Sequence, residues 1–262
     1  MSQILNDIHV NIPFTMLYES YLSRFIQYGL NPEIGFDALS LDCFAPADFK
    51  TVAEQIHEKG LSITMHAPFI DLSPGSPDPE VRALTRRRFQ QFAELVPVFQ
   101  PKAVVCHTGW DEKRYWGLRD SWIQYSLELW AWLEEKVAKE GAFLILENVY
   151  ERHPDEFEEV FKYLKGQRVG FCMDTGHQAV FSHVSLFVWL EKLGSRIVQL
   201  HLHDNHGHYD DHLALGQGKI DFPMLFSYYK EKKIRQPIIT LEPHKEEDLW
   251  PSVKYLEGVW PW

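Results

Sequence analysis

Between Gln199 and Gly218 the chain reads QLHLHDNHGHYDDHLALGQG and holds five of its thirteen histidines and three aspartates. The stretch begins as a strand: Ile197, Val198, Leu200 and Leu202 are apolar, and Gln199, His201 and His203 alternate with them. A strand that carries imidazoles on one face and runs into a loop of Asp and His suits a divalent metal. Such an ion needs several nitrogen and oxygen donors on rigid backbone, with a loop to close the remainder. Asp210 and His212 supply the loop donors before Gly216 and Gly218 turn the chain. His201 and His203 are two residues apart and face the same side of the strand, so alternation leaves open which of them meets the metal.

Other candidate donors stand at the ends of other apolar runs. His66 follows LSITM, His107 follows AVVC, Glu147 follows AFLIL, and Asp174 follows VGFCM with His177 three residues on. Glu242 follows PIITL. Imidazole and carboxylate together suit Zn²⁺, Mn²⁺ or Fe²⁺ better than a soft thiolate set would. Cys172 lies two residues before Asp174 and is expected inside the sheet one layer deeper. Cys106, next to His107, is expected on the opposite face; both are read as packing groups.

The elements that position these donors follow from the pattern. Short apolar runs recur eight times, with IHVNI near Ile8 and PEIGF near Ile34 opening the series and IVQLHLHDN and PIITLEPH closing it. Segments of helical spacing lie between them, such as Phe157, Val160, Phe161 and Leu164, or Ile123, Leu127, Trp130 and Leu133. Asp78 followed by Pro79 is a helix start, with the carboxylate capping free amides and proline at the first helical position. Short apolar strands, each followed by a helix, imply parallel pairing with both faces covered. Eight such units predict an α/β chain forming a single (β/α)8 TIM barrel, one domain over residues 1–262, since this fold takes about 250 residues. A doubly wound open sheet is the runner-up, but no glycine-rich phosphate fingerprint follows the first strand. In a closed barrel the strand C-termini converge on one mouth, where active sites of this fold are built.

Composition narrows the function classes. The net charge of −11 provides no basic footprint for nucleic acid. Cys43, Cys106 and Cys172 form no CxxC and suggest no disulfide framework, which fits a reducing compartment. The first residues do not resemble a signal peptide, and no run reaches the ~18 apolar residues of a membrane span. A soluble, cytoplasmic protein without a membrane partner is the expectation.

The motifs HAPF at His66, CHTG at His107, LENV at Glu147, MDTGH at Asp174, HLHDN at His201, DDHLALGQG at Asp210 and LEPH at Glu242 carry a resemblance. In this order, over nearly the whole chain, they resemble the xylose isomerase-like TIM-barrel superfamily (AP endonuclease family 2). That superfamily takes in sugar and sugar-phosphate isomerases and epimerases, and the endonuclease IV group of apurinic-site nucleases. The resemblance selects His201 over His203. In epimerase-like members one divalent ion is held by residues matching Glu147, Asp174, His201 and Glu242, and the two glutamates are the catalytic acid/base pair. In endonuclease IV-like members His66, His107, His177, Asp210 and His212 join them to hold three zinc ions that act on a phosphodiester. The resemblance thus implies about one to three ions of Zn²⁺ or Mn²⁺ per chain.

The remaining features divide between two substrates. After the second run the chain reads GFDALSLDCF, an acidic stretch where endonuclease IV-like proteins place basic and polar DNA-binding residues. Arg86, Arg87 and Arg88 are the one basic run, and they fall in a helix with a solvated face. His203 stands where the nuclease pattern has asparagine. Phe69 and Ile70 after HAP suit a wedge for a base stack, a sugar pocket or simple packing. Trp110, Tyr115 and Trp116 sit where a loop could cover a sugar ring or fold on itself. His9 and Asn11 are possible substrate contacts, and the terminal GVWPW is expected on the bottom or side of the barrel. The reading is a metal-dependent isomerase or epimerase of a small carbohydrate. The alternative is a trinuclear zinc phosphodiesterase with a nucleic-acid partner; a third class, a barrel that binds metal without catalysis, is disfavoured by Glu147 and Glu242.

Overall fold

The computed structural model describes residues 3–262. The eight apolar runs become eight strands: β1 (Ile8–Pro13), β2 (Asn31–Gly35), β3 (Thr64–His66), β4 (Ala103–His107), β5 (Phe143–Glu147), β6 (Val169–Asp174), β7 (Ile197–Leu202) and β8 (Ile238–Leu241). They pair in parallel in sequence order, and β1 closes on β8, so the expected (β/α)8 TIM barrel is the fold.

The first crossover carries α1 (Phe14–Met16) and α2 (Leu22–Tyr28), and the second carries α3 (Ala38–Cys43) and α4 (Pro46–Glu58). Next come α5 (Pro79–Ala93), α6 (Val96–Phe99), α7 (Arg119–Lys139) and α8 (Asp155–Tyr163). The series ends with α9 (Thr175–Phe181), α10 (Leu186–Leu193), α11 (Phe222–Lys232) and α12 (Glu246–Val259). Asp78 caps α5 as its position before Pro79 implied, accepting from the Glu80 amide at 2.8 Å. Among the described residues, no helix is long and apolar enough to cross a membrane.

Strand alternation sorts the core into two unequal parts. Outward-facing Val104, Cys106, Leu144, Leu146, Phe171, Met173 and Leu200 meet the helices in the main core. Inside the barrel, Ala103, Val105, Ile145 and Cys172 form a small apolar cluster. The cysteines therefore face as period-two alternation requires, Cys172 inward and Cys106 outward. Register then levels the mouth, because His107 pairs with Glu147 and Asp174 with His201.

Peripheral features take the quieter of their readings. The acidic stretch after β2 winds into α3, where Asp37 accepts the Ser40 amide at 2.7 Å. Arg88 pairs with Asp42 at 2.6 Å, and Arg86 lies over the Trp132 ring at 3.9 Å, so the basic run decorates the barrel's exterior. Trp260 and Trp262 settle on Phe226, and Trp262 also meets Tyr229, which places the C-terminus against α11 on the barrel's side.

Candidate active site and metal centre

All nine sequence-selected donors converge at the mouth, and they do so around one carboxylate. Glu147, at the end of β5 and 1 % exposed, turns one oxygen to each of two neighbouring groups. Its Oε2 lies 3.2 Å from His66 Nε2 and 3.4 Å from His107 Nε2. Its Oε1 lies 3.4 Å from His201 Nδ1. Around that same Nδ1 stand Glu242 Oε1 at 3.0 Å and Asp174 Oδ2 at 3.9 Å. A third group forms beside Asp174, where Asp210 Oδ2 is 3.3 Å from His177 Nε2 and 3.2 Å from His212 Nε2.

These separations fit metal ligation. Donors bonded to one zinc at 2.0–2.1 Å in tetrahedral geometry lie about 3.3 Å apart. His201 Nδ1, in the inner group, and Asp210 Oδ1, in the third, are buried without a directed hydrogen-bond partner, as donor atoms reserved for a bound ion would be. The second ring nitrogens agree. His66 Nδ1 donates to the Ala67 carbonyl, His177 Nδ1 to the Asn148 carbonyl and His212 Nδ1 to the Glu242 carbonyl, each at 3.0 Å. A carbonyl can only accept, so each Nδ1 carries a proton and Nε2 is the nitrogen turned towards the carboxylates and any ion they hold. His201 is the reverse case: its Nε2 meets Glu33 Oε1 at 2.9 Å, and Nδ1 faces the site.

Electrostatics follow from burial and proximity. Burial pushes Glu147 up, but His201 and His107 outweigh it and hold the carboxyl well below its usual range. Burial disfavours charge on His201 and His177, yet the surrounding carboxylates raise both well above the ordinary imidazole value. His107 is lowered, burial being its main influence. The carboxylates that favour a proton on His201 and His177 would equally favour a cation, so protonation and metal binding compete at these two residues.

The β7 loop is built to present its donors. Asp204 accepts the amides of Gly216 at 3.0 Å, Gly218 at 2.8 Å and Ile220 at 3.1 Å, and its backbone pairs with Leu213. A Cβ at Gly218 would fall on the Asn205 carbonyl and the Asp204 carboxylate, which requires glycine there. His212 is held at φ 50, a conformation unusual for a side-chain-bearing residue. His206 and His208, from the same dense stretch, face solvent.

Several residues emerge that sequence reasoning had missed or left open. His203 Nε2 contacts both Asp174 oxygens, at 3.2 and 3.3 Å, and its ring stacks on His212 at 3.7 Å. It lies beside Asp174, while His201 enters the ring of carboxylates. Gly176 of the MDTGH motif lies against His203, where a Cβ would fall inside the imidazole. His244 stacks on the other side of His212 at 3.6 Å. Glu33 was signalled only as a lone carboxylate in an apolar strand. His9 sits low in the barrel on Ser62 Oγ at 2.9 Å, and Asn11 donates to Glu33 at 3.2 Å, so both lie behind the mouth. Phe69 is 45 % exposed and roofs His107 at 4.2 Å, with Ile70 exposed beside it. Trp110 and Tyr115 turn instead into a cluster with Trp122, where the Tyr115 hydroxyl donates to Ser73 at 2.7 Å; Trp116 alone of the three is exposed.

Beneath that cluster, Glu151 meets the Thr108 hydroxyl and accepts the Val149 amide at 2.8 Å. Burial pushes its carboxyl from 4.5 to about 7 despite these bonds, with Glu156 adding to the rise. The native state holds a proton here that the unfolded chain loses first. Stability therefore declines as pH rises from 4.5 towards about 7 and levels off above. Glu151→Gln should remove this slope and stabilise the protein at pH 8 by about 1–3 kcal/mol. Denaturant unfolding of both proteins at pH 5, 6, 7 and 8 checks it; parallel pH profiles would refute the assignment.

Comparison with known proteins agrees with the architecture. An uncharacterised protein of Methanocaldococcus jannaschii, MJ1311, is 29% identical over 218 residues, 76% of this chain and 72% of that protein. The TTHB071 protein of Thermus thermophilus, in crystals soaked with ZnCl2, superposes with a TM-score of 0.81 at 27% identity, covering 97% of this chain and 98% of its own. A D-tagatose 3-epimerase-like protein gives a TM-score of 0.80 at 22% identity over 96% of this chain and 97% of its own, a likeness of fold. The family model described as the xylose isomerase-like TIM barrel matches residues 32–258. From the closed barrel, the mouth its strand ends build and this match over most of its length, the chain belongs to the xylose isomerase-like TIM barrel family.

Proposed function

We propose that the protein is a divalent-metal-dependent isomerase or epimerase of a sugar or sugar phosphate. The observation that carries this reading is the convergence of Glu147 and Glu242 on His201 Nδ1, at 3.4 and 3.0 Å, with Asp174 completing the set. Glu147, Asp174, His201 and Glu242 would hold a Zn²⁺ or Mn²⁺ ion, which supplies Lewis-acid stabilisation of negative charge on the substrate oxygens. Proton transfer next to a carbonyl then needs a base within hydrogen-bond reach on one face and an acid on the other. Glu147 and Glu242 stand on different sides of His201 and are the residues that would remove and return the proton. The Phe69 face over the histidines offers an apolar surface to a sugar ring.

A second reading, phosphodiester hydrolysis at a trinuclear zinc site, is favoured by a specific observation. The groups His66, His107, Glu147 and His177, His203, Asp210, His212 flank the inner one, and the carboxylate of Glu147 faces both the first of these and His201. It ranks second because the net charge is −11 and the segment after β2 is a helix capped by Asp37 and bearing Asp42, in place of a basic DNA-binding loop.

Deuterium exchange separates the two. With metal supplied in heavy water, a responsive ketose or ketose phosphate should take up carbon-bound deuterium, and Glu242→Gln should slow this by about 10²–10⁴-fold. Metal-dependent nicking of an abasic duplex at physiological salt, with no exchange across a panel of ketoses, would instead establish the hydrolytic reading. That activity would fall steeply with salt as phosphate contacts release counterions.

A further inference from the structure

The barrel interior is apolar on one side and polar on the other. Under β4 to β6 lie Ala103, Val105, Ile145 and Cys172. Under β1 to β3 and β7 to β8 lies Glu33, fully buried on β2. Its Oε2 accepts the Thr64 hydroxyl at 2.8 Å, the Thr240 hydroxyl at 3.2 Å and the Gln199 amide. Its Oε1 accepts from Asn11 at 3.2 Å and faces His201 Nε2 at 2.9 Å. Five side chains from four other strands thus satisfy one carboxylate in the middle of a fold. Burying such a charge is unfavourable until its partners offset it, and a barrel needing only to be filled does so with Val and Ile.

His201 accounts for this arrangement. The other imidazoles of the mouth with a fixed tautomer, His66, His177 and His212, are held by backbone carbonyls of the loops. His201 points into the barrel centre, where backbone does not reach, so a side chain must supply the acceptor. Gln199 Nε2 also lies 3.0 Å from His201 Nε2, but it is a donor already committed to Glu33 and Thr240. The carboxylate therefore decides that Nε2 carries the proton.

We propose that Glu33 is a positioning residue for metal at the inner site: its carboxylate holds the proton on His201 Nε2 and thereby presents Nδ1 as a lone pair to the ion. A carboxylate partner also makes the imidazole a stronger donor than a carbonyl would. The inference rests on the proposal that Glu147, Asp174, His201 and Glu242 bind a metal. It adds that retention of the ion depends on a residue that touches neither ion nor substrate.

The test is chelator competition on the full chain loaded with zinc, comparing wild type, Glu33→Gln and Thr240→Val. Glu33→Gln is expected to weaken inner-site affinity by about 10–100-fold, the usual loss for a partner behind a metal-bound histidine. Thr240→Val, which removes one of the donors that orient Glu33, should weaken it less and in the same direction. A folding role alone would lower the melting temperature of the metal-free variant and leave zinc affinity within about twofold of wild type; that result overturns the proposal. Should Glu33→Gln fail to fold, nitrogen NMR of the zinc-loaded wild type decides. A protonated, hydrogen-bonded Nε2 with a metal-bound Nδ1 on His201 supports the assignment, and the opposite tautomer overturns it. Wild-type protein that takes up no metal would sink the proposed function together with this inference, whereas tight zinc binding indifferent to Glu33 sinks the inference alone.

Discussion

Glu147→Gln should remove more divalent metal from the protein than any other single substitution. The reason is geometric: one Glu147 oxygen faces His66 and His107 and the other faces His201, so a neutral amide there withdraws charge from two groups at once. An amide oxygen can still face one side, but the NH2 then points at a histidine lone pair or a cation on the other. Elemental analysis of protein purified without added metal should show at least one divalent ion per chain in wild type and a sharp loss in the variant. His201→Ala should empty the inner group and leave the flanking groups partly filled. Under the proposed isomerase reading, proton exchange on a responsive ketose should fall by about 10²–10⁴-fold in Glu147→Gln even where some metal remains, because an amide cannot take up the proton. Wild type that is metal-free and gains nothing from added zinc or manganese would end the metal reading altogether.

The next largest effect is expected at the flanking groups, and it bears on reaction class. His66→Ala and His107→Ala each remove one of the two imidazoles that face Glu147 Oε2, and His212→Ala removes one of the three imidazoles around Asp210, leaving His177 and His203. If these groups hold ions, each substitution lowers the metal count and leaves the inner ion in place, since none of the three contributes to the set around His201 Nδ1. Replacing a histidine that binds the ion directly should cost more than the 10–100-fold affected by a residue behind it. A wild-type count of one ion, unmoved by all three changes, would make His66, His107 and His212 substrate contacts and strengthen the isomerase reading. A count that drops with each would strengthen the hydrolytic one.

Periodicity was a good guide to local placement and a poor guide to partnership. Counting histidines in the β7 stretch overstated the site, because His206 and His208 share its composition but face solvent. The strand alternation put His201 and His203 on one face and could go no further. In the folded chain His201 lies among four carboxylates, three at Nδ1 and Glu33 at Nε2, whereas His203 contacts Asp174 with Asp210 nearby, a difference set by the depth of each residue in the barrel. Trp110 and Tyr115 had the right types and position for a sugar-covering loop. Their rings find Trp122 from α7 nearer at hand, and burying aromatic area there outweighs exposing it over the mouth.

What the sequence determined by itself was the barrel and the level at which its donors stand. Strand and helix alternate with lengths and periods that local residues dictate, and a donor at the end of an apolar run must emerge at the mouth once eight such runs close. The tertiary structure alone decided how the donors are shared. That Glu147 divides its oxygens between two groups, that Glu33 stands behind His201, and that the interior is polar under one half and apolar under the other all depend on which strands face one another across the closed barrel. Those pairings join residues far apart in the chain through register and closure, and no local pattern of side chains encodes them.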